Sequence, residues 1–179
     1  MQTEYEVKIL DINVEEIKKK LEELGAKKVA ERNMRRYVYD LIVDSENNCS
    51  KWARLRDNGE KITLTVKDIS QKGIDGTKES EIIVEDFSKA HDLMCAMGFE
   101  SKAYQENKRS SYKLGDTEFE IDSWPKIPTY LEIEGKSVEE VKKTIELLGF
   151  KIENTTSIGV TEVYKKYGFN LYDFKELKF

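Results

Sequence analysis

Glu4, Glu6 and Lys8 stand two residues apart, and the same interval recurs in Arg54 and Arg56, in Thr63, Thr65 and Lys67, in Glu79 and Glu81, in Glu118, Glu120 and Asp122, and in Glu132 and Glu134. Side chains two apart share one face of a β-strand, so each stretch offers a polar, mostly ionic face. The intervening positions offer an apolar one: Tyr5, Val7 and Ile9; Ala53 and Leu55; Ile62, Leu64 and Val66; Phe119 and Ile121; Leu131 and Ile133. Clustered carboxylates without histidine or cysteine suit hard, oxygen-seeking cations, Mg2+ or Mn2+ rather than zinc. Clustered arginine and lysine suit phosphate, and the arginine fork can grip two oxygens at once. Together they point to a metal-bound polyphosphate.

Two arrangements satisfy this pattern. An antiparallel sheet can keep one wet face, and ionic residues belong there. Alternatively the apolar faces lie outward under helices, and the ionic faces look into a shared cavity. The density of both signs, and the scarcity of Ser, Gln and Asn between them, favour the cavity for the set as a whole. The helices needed to cover the apolar faces are present. Val14, Ile17, Leu21 and Leu24 precede Gly25; Phe87, Ala90, Met94 and Met97 precede Gly98; Val138, Val141, Ile145 and Leu148 precede Gly149. Each spacing makes one apolar stripe, and each glycine suits the left-handed residue that closes a helix.

These helices belong to an internal repeat. A Glu-x-Glu strand stands before each of them, and Arg36 and Arg109 follow Gly25 and Gly98 at the same offset, so a duplicated strand–helix–strand unit is the economical reading. Asp57-Asn58-Gly59-Glu60 and Gly115-Asp116 read as hairpin turns, and Pro125 and Pro128 punctuate the approach to Tyr130. Gly73 to Thr77 reads as a surface loop, and the aromatics between Tyr164 and Phe179 as packing residues. About eight strands and three or four helices are expected, in a single domain over residues 1–179.

Composition excludes several other classes. Thirty Lys and Arg against 35 Asp and Glu give a net charge of −5, too acidic for a protein that grips a nucleic-acid duplex. The sequence has neither a membrane-spanning apolar run nor a signal-peptide core, so a cytoplasmic location is expected. Cys49 and Cys95 lack metal-ligand spacing and, with His91 the one histidine, are expected to have no histidine partner.

The ordered set of ionic stretches resembles the CYTH superfamily, the triphosphate tunnel metalloenzymes, which include class IV adenylyl cyclases and thiamine triphosphatases. Glu4-x-Glu6-x-Lys8 is similar to their ExExK signature, Trp52-Ala53-Arg54-Leu55-Arg56 to their paired-arginine strand, Thr63 to Lys67 to their lysine strand, and Glu79-Ser80-Glu81 to their central acidic strand. Lys108-Arg109, then Asp122 and Tyr130 to Glu134, are similar to the closing basic and acidic strands. The resemblance implies an α+β fold, an eight-stranded antiparallel closed β-barrel with the amphipathic helices packed outside. It implies that Lys8, Arg54, Arg56, Lys67 and Arg109 bind a small-molecule triphosphate, with Glu81 nearby. Glu4, Glu6, Asp122, Glu132 and Glu134 would hold one or two Mg2+ or Mn2+ ions, and Glu4, Glu6, Lys8, Arg54 and Arg56 would be catalytic. The implied enzyme is a phosphohydrolase of organic or inorganic triphosphates. A class IV adenylyl cyclase and a non-catalytic nucleotide- or polyphosphate-binding module are the alternatives, as a monomer or homodimer. The chain departs from many relatives at Met34-Arg35-Arg36-Tyr37, where they carry an acidic residue, and no carboxy-terminal lysine matches theirs in Thr155 to Tyr164.

Overall fold

A computed structural model describes residues 2–44, 49–69 and 77–179. In chain order these form β1 (Gln2–Ile9), α1 (Val14–Glu23), β2 (Lys27–Asp44), β3 (Cys49–Asp57), β4 (Ile62–Ile69), β5 (Thr77–Val84) and α2 (Phe87–Ala96). They continue with β6 (Ser101–Leu114), β7 (Thr117–Ser123), β8 (Tyr130–Gly135), α3 (Val138–Leu147), α4 (Val160–Lys166) and β9 (Glu176–Leu177). Strands β1 to β8 make one curled antiparallel sheet in the order β2-β3-β4-β5-β1-β8-β7-β6, and β2 also pairs with β6. The expected α+β class and eight antiparallel strands are therefore present. A ninth strand, β9, adds a short parallel pairing to β6 at Tyr104 and Gln105.

The repeat is visible in the topology. β1-α1-β2 and β5-α2-β6 are matching units, and their strands pair with one another, β1 with β5 and β2 with β6. Asn13, Asp86 and Ser137 cap α1, α2 and α3 by accepting from first-turn N–H groups. Gly25, Gly98 and Gly149 end them at φ 79°, 92° and 77°, where a side chain would be strained. The third unit differs: β8 ends at Gly135, no strand follows α3 directly, and Lys136 is exposed in a pair with Asp116.

Helix packing decides which face of the sheet is apolar. α1 and α3 set Ile17, Leu21, Val141 and Ile145 against Val7, Ile9, Phe119, Ile121, Leu131 and Ile133. α2 sets Phe87 and Met94 against Tyr39, Ala53 and Leu55. Each such side chain contributes about 1.5–3 kcal/mol on burial, so the odd-numbered apolar positions of β1, β3, β7 and β8 lie on the convex side. The ionic positions are left on the concave side. They are not a wet surface, since Lys8, Arg54 and Lys67 are 4%, 8% and 9% exposed and Asp122 is 1% exposed.

A third apolar cluster covers one end of the concave face. Val163, Tyr164, Leu171 and Leu177 pack on Trp124, Ile127 and Tyr130, and the Tyr164 hydroxyl donates to the Pro125 carbonyl at 2.6 Å. The carboxy-terminal aromatics that pack here do so as expected. One expectation is not tested by the described residues, and two need amendment. The loop from Gly73 to Thr77 lies outside the described residues except for Thr77, which opens β5. The concave face is not free of neutral polar residues: Gln105, Asn107 and Ser111 lie on it, because β6 alternates polar with polar and hides its own period. Cys95 does have a histidine neighbour, since an i,i+4 step on α2 brings its sulfur to 3.7 Å from His91 Nε2. His91 stacks on Tyr37 and shares a 2.7 Å hydrogen bond with the Tyr39 hydroxyl, on the convex side. No helix among the described residues is long and apolar enough to cross a membrane.

Candidate active site

Strand register brings the ionic stretches together. β1 faces β8 with Glu6 opposite Glu134 and Lys8 opposite Glu132, and β7 places Glu120 opposite Glu132. Lys8 Nζ lies 3.0 Å from Glu132 and 3.2 Å from Glu6. Arg109 pairs with Asp122, reaches Glu132 across β7 at 3.2 Å and approaches Glu120 at 3.8 Å. Asn107 and Ser111, on either side of Arg109, donate to Asp122 at 3.2 Å and to Glu120 at 2.6 Å. On the other flank Lys67 bridges Glu4 at 2.7 Å and Glu79 at 3.1 Å, and Thr65 donates to Glu81 at 2.7 Å.

Charge is balanced in the middle of this face and unbalanced at two places. Burial opposes ionisation of Glu132, yet Lys8 and Arg109 outweigh it and hold the carboxyl well below the usual carboxylate range. Burial likewise opposes the charge on Lys8 and Arg109, and their carboxylate partners reverse that, keeping both firmly protonated. Glu134 has no cation within salt-bridge distance among the described residues. Burial, then Glu4, Glu132 and Glu6, push it up to about 7. Burial also raises Glu4 to about 7 against the pull of Lys67. The opposite imbalance sits on β2 and β3. Among the described residues Arg54 reaches no carboxylate closer than Glu79 at 4.0 Å, and its Nε is buried without a partner. Arg56 is pulled down to about 9, first by Arg54, then by burial and by Arg109.

The raised carboxyls carry a prediction. A glutamate whose folded pKa lies above its unfolded value favours folding below the unfolded value, and that contribution is lost as pH rises through the folded one. For Glu4 and Glu134 the window runs from about 4.5 to about 7. Metal-free protein is expected to lose several degrees of Tm between about pH 5 and about pH 8. Melting curves across that range in a chelator check this, and a Tm that rises throughout would contradict the electrostatics.

Every sequence-derived site residue lies on the concave face: Glu4, Glu6, Lys8, Arg54, Arg56, Lys67, Glu81, Arg109, Asp122, Glu132 and Glu134. They are not equally engaged. Asp122 and Glu132 are taken up by Arg109 and Lys8, whereas Glu4, Glu6 and Glu134 form the pole where negative charge is in excess. No group of three or more His, Cys, Asp or Glu side chains among the described residues converges closely enough to ligate a metal, because Glu4 turns to Lys67 and Glu6 to Lys8. The donor set itself, all carboxylate and mutually repelling, fits a hard divalent cation.

Lys108 lies on the opposite side of β6 from Arg109, over the Phe179 ring. Arg36 was not among the candidates, yet it is buried on the concave face beside Arg54 and Arg56. Its signal was available, since Arg36 repeats the offset of Arg109 from a helix-closing glycine.

A family model described as the CYTH domain matches residues 2–160. Among solved structures, the PH1012 protein from Pyrococcus horikoshii OT3 is 30% identical, with 85% of this chain and 93% of that chain covered at a TM-score of 0.73. A Vibrio parahaemolyticus protein described as a candidate adenylate cyclase shares the fold at 14% identity, with 92% and 98% covered at a TM-score of 0.75. HpAC1 from Hippeastrum, described as having a dominant triphosphatase activity, shares it at 13% identity, with 97% and 100% covered at a TM-score of 0.62. No curated protein matches the sequence.

Proposed function

Because this chain belongs to the CYTH domain family, we propose that it is a divalent-metal-dependent enzyme that binds a triphosphate on its concave ionic face and hydrolyses it. The observation that carries this reading is the separation of charge on one buried face, Arg54 and Arg56 with no close carboxylate at one place and Glu134, beside Glu4 and Glu6, in negative excess at another. A polyanion with a bound cation satisfies both poles at once. The β2–β6 ladder, from Lys27 opposite Lys113 to Tyr39 opposite Ser101, supports closure of the eight strands into a tunnel, built as a single domain over residues 1–179.

In this reading Lys8, Arg54, Arg56, Lys67 and Arg109 grip phosphate oxygens, with the arginine forks neutralising charge that develops on the transferring group. Glu4, Glu6 and Glu134 would hold Mg2+ or Mn2+, which would supply further neutralisation of the phosphate oxygens. Asp122 and Glu132 fix the directions of Arg109 and Lys8, and Glu81 is fixed in turn by Thr65 and Lys61. Preorganised this way, the cations need no rearrangement as the bond breaks.

Products test the assignment. Incubation with ATP, inorganic triphosphate and thiamine triphosphate, with Mg2+ or Mn2+, is expected to release orthophosphate in a chelator-sensitive way. Cyclic AMP with pyrophosphate from ATP would instead make it a class IV adenylyl cyclase. Binding of these compounds without turnover would make it a non-catalytic module.

A further inference from the structure

Among the described residues, Arg36 is the one buried cation of the concave face with no carboxylate within salt-bridge distance. It is 7% exposed, its Nε donates to Gln105 Oε1 at 2.9 Å, and its guanidinium lies 4.4 Å from the centre of the Trp124 ring. Gln105 and Trp124 are themselves buried, at 0% and 5% exposure. No acidic side chain among the described residues comes within salt-bridge distance of Arg36. Among the described residues Gln105 Nε2 and Trp124 Nε1 are buried without a partner, so the cluster holds more donors than acceptors. Arg36 also stands directly opposite Arg56 in the β2–β3 ladder. Burial and Arg54 together pull its pKa down to about 10, more than Tyr130, Tyr172 and Asp122 restore.

Register locates the cluster along the face. Lys113, Glu118, Glu134 and Glu6 stand side by side across β6, β7, β8 and β1 and mark one end. Arg109 and Asp122 lie further along, and Gln105 lies beyond them, where β6 has outrun β7 and pairs with β9. Here Trp124 is packed edge-to-face on Tyr164, and Tyr164, Leu171 and Leu177 cover it. The cluster is therefore a covered end, with a guanidinium that meets no carboxylate among the described residues where the carboxy-terminal segment packs.

We infer that Arg36, positioned by Gln105 and Trp124, binds the terminal phosphoryl group of the triphosphate chain at this covered end, opposite the end marked by Glu6 and Glu134. The inference deepens the triphosphate reading and rests on it. The end is walled by buried Trp124, Tyr164, Leu171 and Leu177, and a cation with no carboxylate partner prefers an anion to a neutral sugar or base. The chain thus enters with a free phosphoryl terminus leading, and any organic group trails toward Glu134.

The test is calorimetric titration with inorganic tripolyphosphate in EDTA, so that binding is read without metal or turnover. Wild-type protein is expected to bind, and Arg36→Met to bind about 10- to 100-fold more weakly, as loss of charge-assisted hydrogen bonds requires. Arg36→Lys should recover part of the loss. Gln105→Glu places a competing carboxylate beside Arg36 and should weaken binding comparably while leaving the melting temperature in buffer unchanged or raised. Diadenosine triphosphate, esterified at both termini, should not bind, whereas ATP should. Wild-type affinity in Arg36→Met and Gln105→Glu, or tight binding of diadenosine triphosphate, overturns this placement and leaves the triphosphate reading standing. Failure of the wild-type protein to bind tripolyphosphate both in EDTA and with Mn2+ restored overturns both.

Discussion

Arg54→Met is expected to gain stability and lose function. The guanidinium is buried; among the described residues its nearest carboxylate is 4.0 Å away and its Nε lacks a partner, and it is the largest influence weakening the charge on Arg56. Replacing an ill-compensated buried charge by an apolar side chain of similar volume is worth about 1–4 kcal/mol in favourable cases. For a chain of this length that is roughly 2–16 °C in Tm. Triphosphate turnover should fall by roughly two to three orders of magnitude, the usual effect of removing one preorganised donor to developing negative charge. Arg54→Lys keeps the charge but not the fork and should recover only part of the activity. Melting in buffer and kcat/KM for inorganic triphosphate, measured on the same preparation, check both halves. A variant that is both less stable and fully active would mean that Arg54 is there for the fold.

Much of this arrangement was legible in the sequence, for a physical reason. A strand repeats every two residues, so an ionic set such as Glu4, Glu6 and Lys8 against Tyr5, Val7 and Ile9 declares two faces without any knowledge of neighbours. The three helices with their closing glycines then declared which face is covered. What could not be read was register and reach. Nothing in the spacing says that Lys67 turns to Glu4 two strands away while Glu134, on the same face, meets only like charges. β6 escaped reading for a different reason. Its convex positions Tyr104, Glu106 and Lys108 are as polar as its concave ones, so parity gave no contrast, and Gln105 and Asn107 went unnoticed. Arg36 was visible as half of a repeated offset, but a lone arginine beside a second arginine and a tyrosine carries no periodic signal. Its importance comes from Gln105 and Trp124, which are distant in sequence and reach it only through the β2–β6 pairing and the turn of the chain after β7.

Two glutamates of β8, adjacent on the same face, should respond to the same substitution with opposite signs. Glu132→Gln removes the partner of Lys8 and one partner of Arg109, leaving Lys8, 4% exposed, with Glu6 alone. Breaking a buried pair from one side costs about 3–5 kcal/mol, so Tm should drop by roughly 10 °C at any pH where Glu132 is ionised in the wild-type protein. Glu134→Gln removes a carboxylate that meets burial and negative neighbours only. Its folded pKa of about 7 against an ordinary 4.5 means that ionisation works against folding above neutrality and vanishes as a factor in acid. The variant should therefore match wild type near about pH 5 and exceed it by about 1–3 kcal/mol near about pH 8, in metal-free buffer. The same variant should lose most of the stabilisation that Mg2+ or Mn2+ gives the wild-type protein, since a neutral amide is a poor ligand for a hard cation. Denaturant titrations of both variants at the two pH values, each with and without metal, separate a glutamate that holds the fold from one kept at a cost in stability for what it binds. Equal destabilisation by both substitutions would erase that distinction and, with it, the assignment of Glu134 to the metal.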